Sequence, residues 1–424
     1  MRLRSILAGA TLILLSAATA ASAEPDLFSR QAFEGSLDWR VAAADGQPSF
    51  LDNGFGRTRF GGGGDDATSR LHGALAEAEL VWKPQLTWAL GAVIDAEYQK
   101  GQTHALDLSE AYLTLRPTPN PGLRFSARAG LYYPPVSLEH EGAGWDVANS
   151  ITPSAINSWI GEEVKVVGAE AKLAKPMGDQ ELAATVGVFG FNDTSGTLLT
   201  FRGWGLHDYK ATLLGAIKLP PIDEYMVGAQ PQYSNAVLEL DHRVGYYARL
   251  DWRTPWPASF NAFWYDNRGD RVTTNAELQW AWATRFWNLG ATFDLGPHTR
   301  VLSQVLSGTT QLGDPSWGYT WIDLRFTSAY VLATHDVGAS RFTGRVDVFQ
   351  VHDKAFNPAL QEEDDNRGET GWSLTAAYRL QVAPKAQFRI EAIYADSKRP
   401  ELEQFSIEPK QRQTQVQTSL RFSF

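Results

Sequence analysis

The chain contains no cysteine, so it can build neither a disulfide framework nor a thiolate metal site. Beyond residue 23 it has no run approaching the ~18 uninterrupted apolar residues that a membrane-crossing helix needs. It has no excess of positive charge: 38 Lys and Arg stand against 48 Asp and Glu, which argues against a nucleic-acid partner. It carries no G-x-S-x-G, H-E-x-x-H or phosphate-loop pattern. No His and acidic residues stand at metal-ligand spacing, so no metal and no cofactor are expected. The pairs His207-Asp208, His335-Asp336 and His352-Asp353 are the nearest approach to a hydrolytic centre. Neighbours on a strand point to opposite faces, which makes a lipase- or protease-type barrel enzyme the weaker alternative.

What is present begins at the N-terminus. Met1-Arg2-Leu3-Arg4 supplies positive charge, Ile6 to Leu15 is apolar, and Ala21-Ser22-Ala23 is an A-x-A-like cleavage site. Residues 1–23 therefore read as a signal peptide, and 24–424 as the exported barrel. Loss of Arg2 and Arg4 with the leader takes the formal charge from −10 to −12. An exported chain without a spanning helix can reside in a membrane only as a closed barrel of strands. At the other end, Val416, Thr418, Leu420, Phe422 and Phe424 alternate with Gln415, Gln417, Ser419, Arg421 and Ser423. That period of two marks a strand with one apolar and one polar face. The closing Phe424 resembles the signal read by the bacterial barrel assembly machinery. The mean hydropathy of −0.27 is compatible with a barrel whose faces alternate. The 15 Trp, 14 Tyr and 21 Phe suit interfacial aromatic girdles.

Segments of about ten residues recur along the chain, joined by short Pro/Gly turns on one side and long polar loops on the other. The turns include Lys83-Pro84-Gln85, Pro117 to Gly122, Lys175 to Gly178, Thr254 to Pro257, Gly296-Pro297-His298, Asp336-Val337-Gly338 and Ala383-Pro384-Lys385. The sum is about sixteen strands, with one expected from Leu86 to Tyr98 and another from Leu278 to Phe293. The fold class is all-β, a transmembrane antiparallel barrel. The first strand begins by Phe33, which leaves no room for an N-terminal plug domain. Trp88, Leu90, Ile94, Leu420 and Phe422 are expected to face lipid.

Two loops exceed what a surface connection needs. Residues 134–163 are expected to fold inward as a constriction loop, with Glu139, Glu141, Asp146, Glu162 and Glu163 as its acids. Residues 192–243 include the apolar run Leu213 to Ile217, which reads either as a lid or as an extra hairpin. With the apolar face outward, Glu77, Glu79, Asp95, Glu97 and Glu110 line the lumen on the early strands. Arg124, Arg128, Arg249, Arg253, Arg325, Arg345, Arg379, Arg389 and Arg421 line it on later ones. Opposed rows of charge orient polar solutes, and arginines favour anions because the planar guanidinium matches oxyanions. The acidic run Glu362 to Asp365 is a candidate bridge to lipopolysaccharide through a divalent cation.

Several motifs resemble the phosphate-selective porin O/P family and its porin-like relatives. They are Arg128 to Pro135, Thr152 to Glu163, Arg202-Gly203-Trp204, Asp266 to Asp270, Gly308-Thr309-Thr310 and Arg345 to Phe349. The resemblance implies a sixteen-stranded outer-membrane porin, a homotrimer, passing small polar or anionic solutes in contact with outer-membrane lipid. The family's dense basic ladder is replaced here by interleaved acids, which points away from phosphate itself and toward a general or differently tuned channel.

Overall fold

The computed structural model describes residues 27–424 apart from 118–121, 143, 225, 314–319, 358–361 and 364–366. The expected leader, most of the turn after Pro117 and half of the acidic run at 362–365 lie outside the described residues. Sixteen strands form one closed antiparallel barrel. They are β1 Phe33–Gly46, β2 Asp65–Trp82, β3 Leu90–Gln99, β4 Leu106–Leu115, β5 Arg124–Tyr132, β6 Val166–Met177, β7 Gln180–Gly190 and β8 Gly245–Arg253. The second half comprises β9 Ala258–Asp266, β10 Ala283–Asp294, β11 Thr299–Leu312, β12 Ile322–Val337, β13 Ser340–Asp353, β14 Glu369–Ala383, β15 Ala386–Lys398 and β16 Lys410–Ser423. Every strand pairs with its sequence neighbours, and β1 closes on β16 from Ser36 opposite Ser423 to Ala44 opposite Gln415.

The alternation that defines the strands also sorts their faces. On β16, Val416, Leu420 and Phe422 are exposed, whereas Gln415, Gln417 and Ser419 are buried. Polar side chains are thus the covered ones, which means that something other than water occupies the lumen. Outside, exposed Leu, Val, Phe and Trp recur on strand after strand, including Leu182, Val186, Leu250, Trp264, Leu289, Val331, Val348 and Trp372. A continuous apolar exterior of this extent suits hydrocarbon, not water.

Two expected strands begin later than their composition suggests. β3 starts at Leu90 because Leu86 N–H bonds back to Leu90 O at 2.8 Å, making Leu86 to Ala89 a turn. β10 starts at Ala283 because the Asn275 side chain accepts from Glu277 N and Gln279 N, and Leu278 takes a positive φ of 62°. The early ladder is irregular at three places, between Ala44 and Gly46 at the end of β1 and at two bulges further in. Asp38–Trp39 opposes Glu77 and Leu75, skipping Ala76, and Asp95–Ala96 opposes Glu110 and Leu108, skipping Ser109.

The seam depends on one glycine. Phe424 N donates to Gly35 O at 3.0 Å and Gly35 N to Phe424 O at 3.3 Å. The Phe424 ring lies over Gly35 so closely that a Cβ there would fall 2.2 Å from Cζ. Gly35→Leu should therefore displace the ring and lower stability by roughly 1–3 kcal/mol, the usual range for overpacking. Gly73→Leu, where a Cβ meets nothing within 4 Å, should be tolerated. Denaturant midpoints of the two purified variants would compare them, and equal midpoints would contradict the packing.

Candidate functional site

Two long loops descend into the barrel, and the β1–β2 connection, residues 47–64, packs beside them with Phe50, Arg57 and Arg59 buried. The first, residues 133–165, contains helix α1, Ala155–Glu163, all nine of whose residues are buried. The second, residues 191–244, contains the short helix α2, Thr197–Phe201, also wholly buried. Inward side chains around the wall are covered by these loops. Asp38 on β1, Asp95 on β3, Tyr247 on β8, Gln304 on β11, Asp347 on β13 and Gln417 on β16 are each 1% exposed or less. The apolar run Leu213 to Ile217 resolves as an extra hairpin at its end, where Ile217–Lys218 pairs with Tyr233–Ser234.

α1 starts where Ser154 caps it, its hydroxyl accepting from Asn157 N at 3.3 Å. The helix is set against the later strands by polar contacts. Ile151 N and Thr152 N donate to Glu391 Oε2 at 2.8 and 3.0 Å, and Ala155 N donates to Asp347 Oδ1 at 3.1 Å. Glu139 pairs with Arg345 at 3.3 Å, Arg345 also with Asp347 at 2.8 Å, and Asp146 pairs with Arg421. Loop acids therefore dock on the basic part of the wall.

The acidic part receives loop cations. Lys210 Nζ lies 3.2 Å from Glu97, 3.4 Å from Glu77 and 3.7 Å from Glu79, and donates to Gly144 O at 2.9 Å. Burial alone would lower the Lys210 ammonium, but Glu77, Glu97 and Glu79 outweigh it and hold the group well above the lysine range. The two bulges serve the same contact. Ala76, skipped in the β1 register, shares its carbonyl between Lys100 N at 3.2 Å and Arg59 Nη2 at 2.6 Å, and Ser109, skipped in the β3 register, offers its carbonyl to Lys165 Nζ at 2.5 Å. Lys165, sealed under the Tyr133 ring at 4.0 Å, is pulled by burial down to about 8.

Between the loops, Arg202 pairs with Glu162 at 2.5 Å, and Asp208 is held by Arg40 at 2.5 Å and Arg59 at 3.1 Å. His207 points elsewhere than Asp208. Its Nδ1 accepts from Tyr209 N at 3.2 Å, and its Nε2 lies 2.9 Å from Glu162. The ring is wholly buried.

Across the lumen the contact is apolar. Trp159 of α1 packs edge-on against Phe286 and Phe326, with centroids 5.3 and 5.2 Å apart, and against Trp204 of the second loop at 6.1 Å. Phe189, Tyr265 and Phe286 stack around that wall at 5.0 and 4.8 Å. These inward aromatics went unnoticed in the sequence because the strands carrying them are apolar on both faces.

At the charged side the packing leaves space. Between the loops and the β1–β2/β15–β16 wall is a gap of about 10 Å³, bordered by Arg40, Glu77, Trp145, Asp146, Lys210 and Arg421. A water needs about that much room. The Trp145 ring is stacked between Tyr133 and His140 at 4.1 and 3.5 Å. On the short-turn side the gap widens into a cavity of about 540 Å³ lined by Glu141, Asp146, Asn149, Arg341, Arg379, Arg389 and Arg421. Three of those arginines have carboxylate partners: Asp336 for Arg341, Asp38 for Arg389 and Asp146 for Arg421. Arg379 donates to Ala148 O at 3.0 Å and makes no ion pair among the described residues.

The expected site residues thus separate. Glu139, Glu162 and Glu163 are buried in loop packing, while Asp146 and Glu141 reach open space. Arg128 pairs with Glu170, and Arg249 with Asp251. Arg124 and Arg253 both reach Glu181 at the short-turn rim. Glu110 accepts from Tyr133 N at 3.1 Å. Arg325 is a correction: it faces outward. On β12 the buried, inward set is Leu324, Phe326, Ser328, Tyr330 and Leu332, and Arg325 is exposed on the opposite face. The rule of apolar outward fails there because the inward face packs against the aromatic side of the loops.

No family model matches the sequence, and no curated protein matches it. Solved structures share the fold. The outer membrane channel DcaP of Acinetobacter baumannii aligns with a TM-score of 0.55 at 10% identity, covering 92% of this chain and 96% of that one. An anion-selective porin from Comamonas acidovorans aligns at 0.48 and 12% identity, covering 92% and 98%. OmpT, an outer membrane protein of Vibrio cholerae, aligns at 0.48 and 9% identity, covering 94% and 100%. Identities this low speak for the barrel alone.

Glu163 joins the two loops, accepting from Leu198 N at 2.9 Å and Trp159 Nε1 at 2.6 Å. Burial raises its carboxyl from 4.5 to about 7. The docked state thus binds this proton more tightly than the undocked state, so docking is strongest below pH 4.5 and weakens as pH rises toward 7. The rise corresponds to roughly 3 kcal/mol. Amide exchange at Leu198, corrected for intrinsic rate, should speed up over that window and level off above it. Glu163→Gln should remove this increment, and an unchanged slope in the variant would contradict the assignment.

Proposed function

We propose that the protein is an outer-membrane diffusion channel for small hydrophilic solutes, with anions preferred. The conducting path runs along the charged seam between the two loops and the β1–β2/β15–β16 wall. The carrying observation is that the loops are fixed to that wall by ion pairs beside an arginine-lined cavity of about 540 Å³, whereas the opposite side is closed by aromatic packing. The apolar exterior and the porin-like barrel support residence in the outer membrane. The signal peptide read at residues 1–23 and the terminal Phe424 support export and assembly there.

The seam speaks for a narrow, selective channel over a general one, since about 10 Å³ admits no hydrated ion without movement of a loop. Ion pairs suit such a movable contact. Each can be exchanged for solvent or a passing ion, whereas separating Trp159 from Phe286 and Phe326 exposes apolar surface with no replacement. Arg379 and its neighbours offer planar donors to carboxylates or phosphate-type oxyanions. The enzyme alternative has less support, because His207 is wholly buried, with Nδ1 accepting from Tyr209 N and Nε2 turned to Glu162 and not to Asp208.

Reversal potential in a planar bilayer under a KCl gradient should show anion preference. Arg379→Gln combined with Arg341→Gln should reduce it severalfold, and phosphate should compete with chloride in the unaltered protein. Cation preference, or a preference unchanged by the variant, would remove the arginine cavity as the filter.

A further inference from the structure

The outward turn of Arg325 places it in a row. Cross-strand register sets Arg285 of β10 opposite Thr309 of β11, Thr309 opposite Arg325 of β12, and Arg325 opposite His352 of β13. All four lie on the exterior face, at the long-loop end of the barrel. Arg285, Arg325 and His352 are exposed. Arg285 Nε donates to Thr309 Oγ1 at 3.3 Å, and neither arginine has an ion-pair partner among the described residues. The carboxylates on this face are engaged by neighbours: Asp266 accepts from Arg268 N at 2.8 Å and Asp323 from Gln311 Nε2 at 2.9 Å.

Below the row the surface changes in an ordered way. One step toward the middle of the barrel come Trp287, Ser307 and Thr327, in register across β10 to β12. The next step brings Leu289, Val305, Ala329, Val348 and Trp372. Ser307, Thr327 and Ala329 are small, and the exposed Trp287 and Trp372 stand on either side of them. The face therefore presents two guanidinium groups that form no ion pair among the described residues, roughly 10 Å apart across two strand spacings, with Asp266 of β9 in register beside Arg285. Beneath them is a shallow trough of small side chains between two indoles, and then aliphatic surface.

We propose that this face binds lipopolysaccharide, with headgroup phosphates on Arg285 and Arg325 and an acyl chain in the trough between Trp287 and Trp372. The inference rests on the outer-membrane reading and adds the lipid and its seat. Three features select this occupant. The row lies at the end with the long loops, where the outer leaflet carries phosphorylated glycolipid. Planar forks at fixed spacing suit phosphates. The apolar trough continues directly from the charge, as an amphiphile requires. The acidic run at 362–365, the earlier candidate for this partner, would need a bridging cation; the arginine row needs none.

The test uses full-length protein purified in detergent, incubated with lipopolysaccharide, with its dephosphorylated form and with phosphatidylglycerol, and followed by native mass spectrometry. Intact lipopolysaccharide should remain bound, and Arg285→Gln with Arg325→Gln should weaken it at least tenfold. Arg412→Gln, which removes a rim arginine already paired with Asp396 at 3.3 Å, should leave it unchanged. Equal binding by the double variant, equal binding of the dephosphorylated lipid, or preference for phosphatidylglycerol would each overturn the proposal. Heat-modifiable gel migration confirms that the variants are folded. Membrane fractionation separately tests outer-membrane residence, so a failure of that reading is distinguishable from a failure of this one.

Discussion

A ring of sixteen strands encloses more space than its own inward side chains can fill. Everything particular to this protein follows from how that space is occupied. Two long loops enter it, joined by the β1–β2 connection with its buried Phe50 and Arg59, and each must satisfy its backbone and bury its side chains against a wall designed for something other than water. The wall answers with two chemistries. From β7 to β13 it presents Phe189, Tyr265, Phe286 and Phe326, and the loops meet it with Trp159 and Trp204. From β1 to β4 and again on β13 to β16 it presents charge, and the loops meet it with the opposite sign.

Burying so many ions is costly unless each is paired, and removing one member of a buried pair typically costs several kcal/mol. Lys210 shows the logic. Its one ammonium serves Glu77, Glu79 and Glu97, and the bulge carbonyls of Ala76 and Ser109 absorb the neighbouring cations. The apolar side holds the loops by area, which does not exchange with solvent. The charged side holds them by contacts that water or ions can replace. This asymmetry puts the path along the charged side.

Much of this was legible in the residues. Strict alternation at Gln415 to Phe424 gave the face assignment of β16, and turn chemistry gave the strand count. Length marked the two loops that fold inward. Charge alternation placed Glu77, Glu97, Arg345 and Arg421 on the inner face. Legibility failed where both faces of a strand are apolar. On β12 the inward Leu324, Phe326 and Leu332 serve the loops and not lipid, so Arg325 was assigned to the wrong side. Bulges at Ala76 and Ser109 leave no local signature, because they accompany contacts with cations distant in the chain, Arg59 and Lys165. Nor does sequence reveal that Glu139, Glu162 and Glu163 anchor loops while Asp146 borders the seam. That division depends on contacts between segments far apart in the chain.

Single-channel conductance tests the account most directly, comparing the unaltered protein with Lys210→Gln in planar bilayers. Filled by two loops and open only at the seam, the unaltered barrel should show conductance steps far below those of an open sixteen-stranded pore. Lys210→Gln, which takes the shared cation from Glu77, Glu79 and Glu97 and so loosens the second loop on the acidic wall, should raise the steps severalfold. Large steps in the unaltered protein, unchanged by the substitution, would contradict the central claim that the loops close the lumen through their charge pairs.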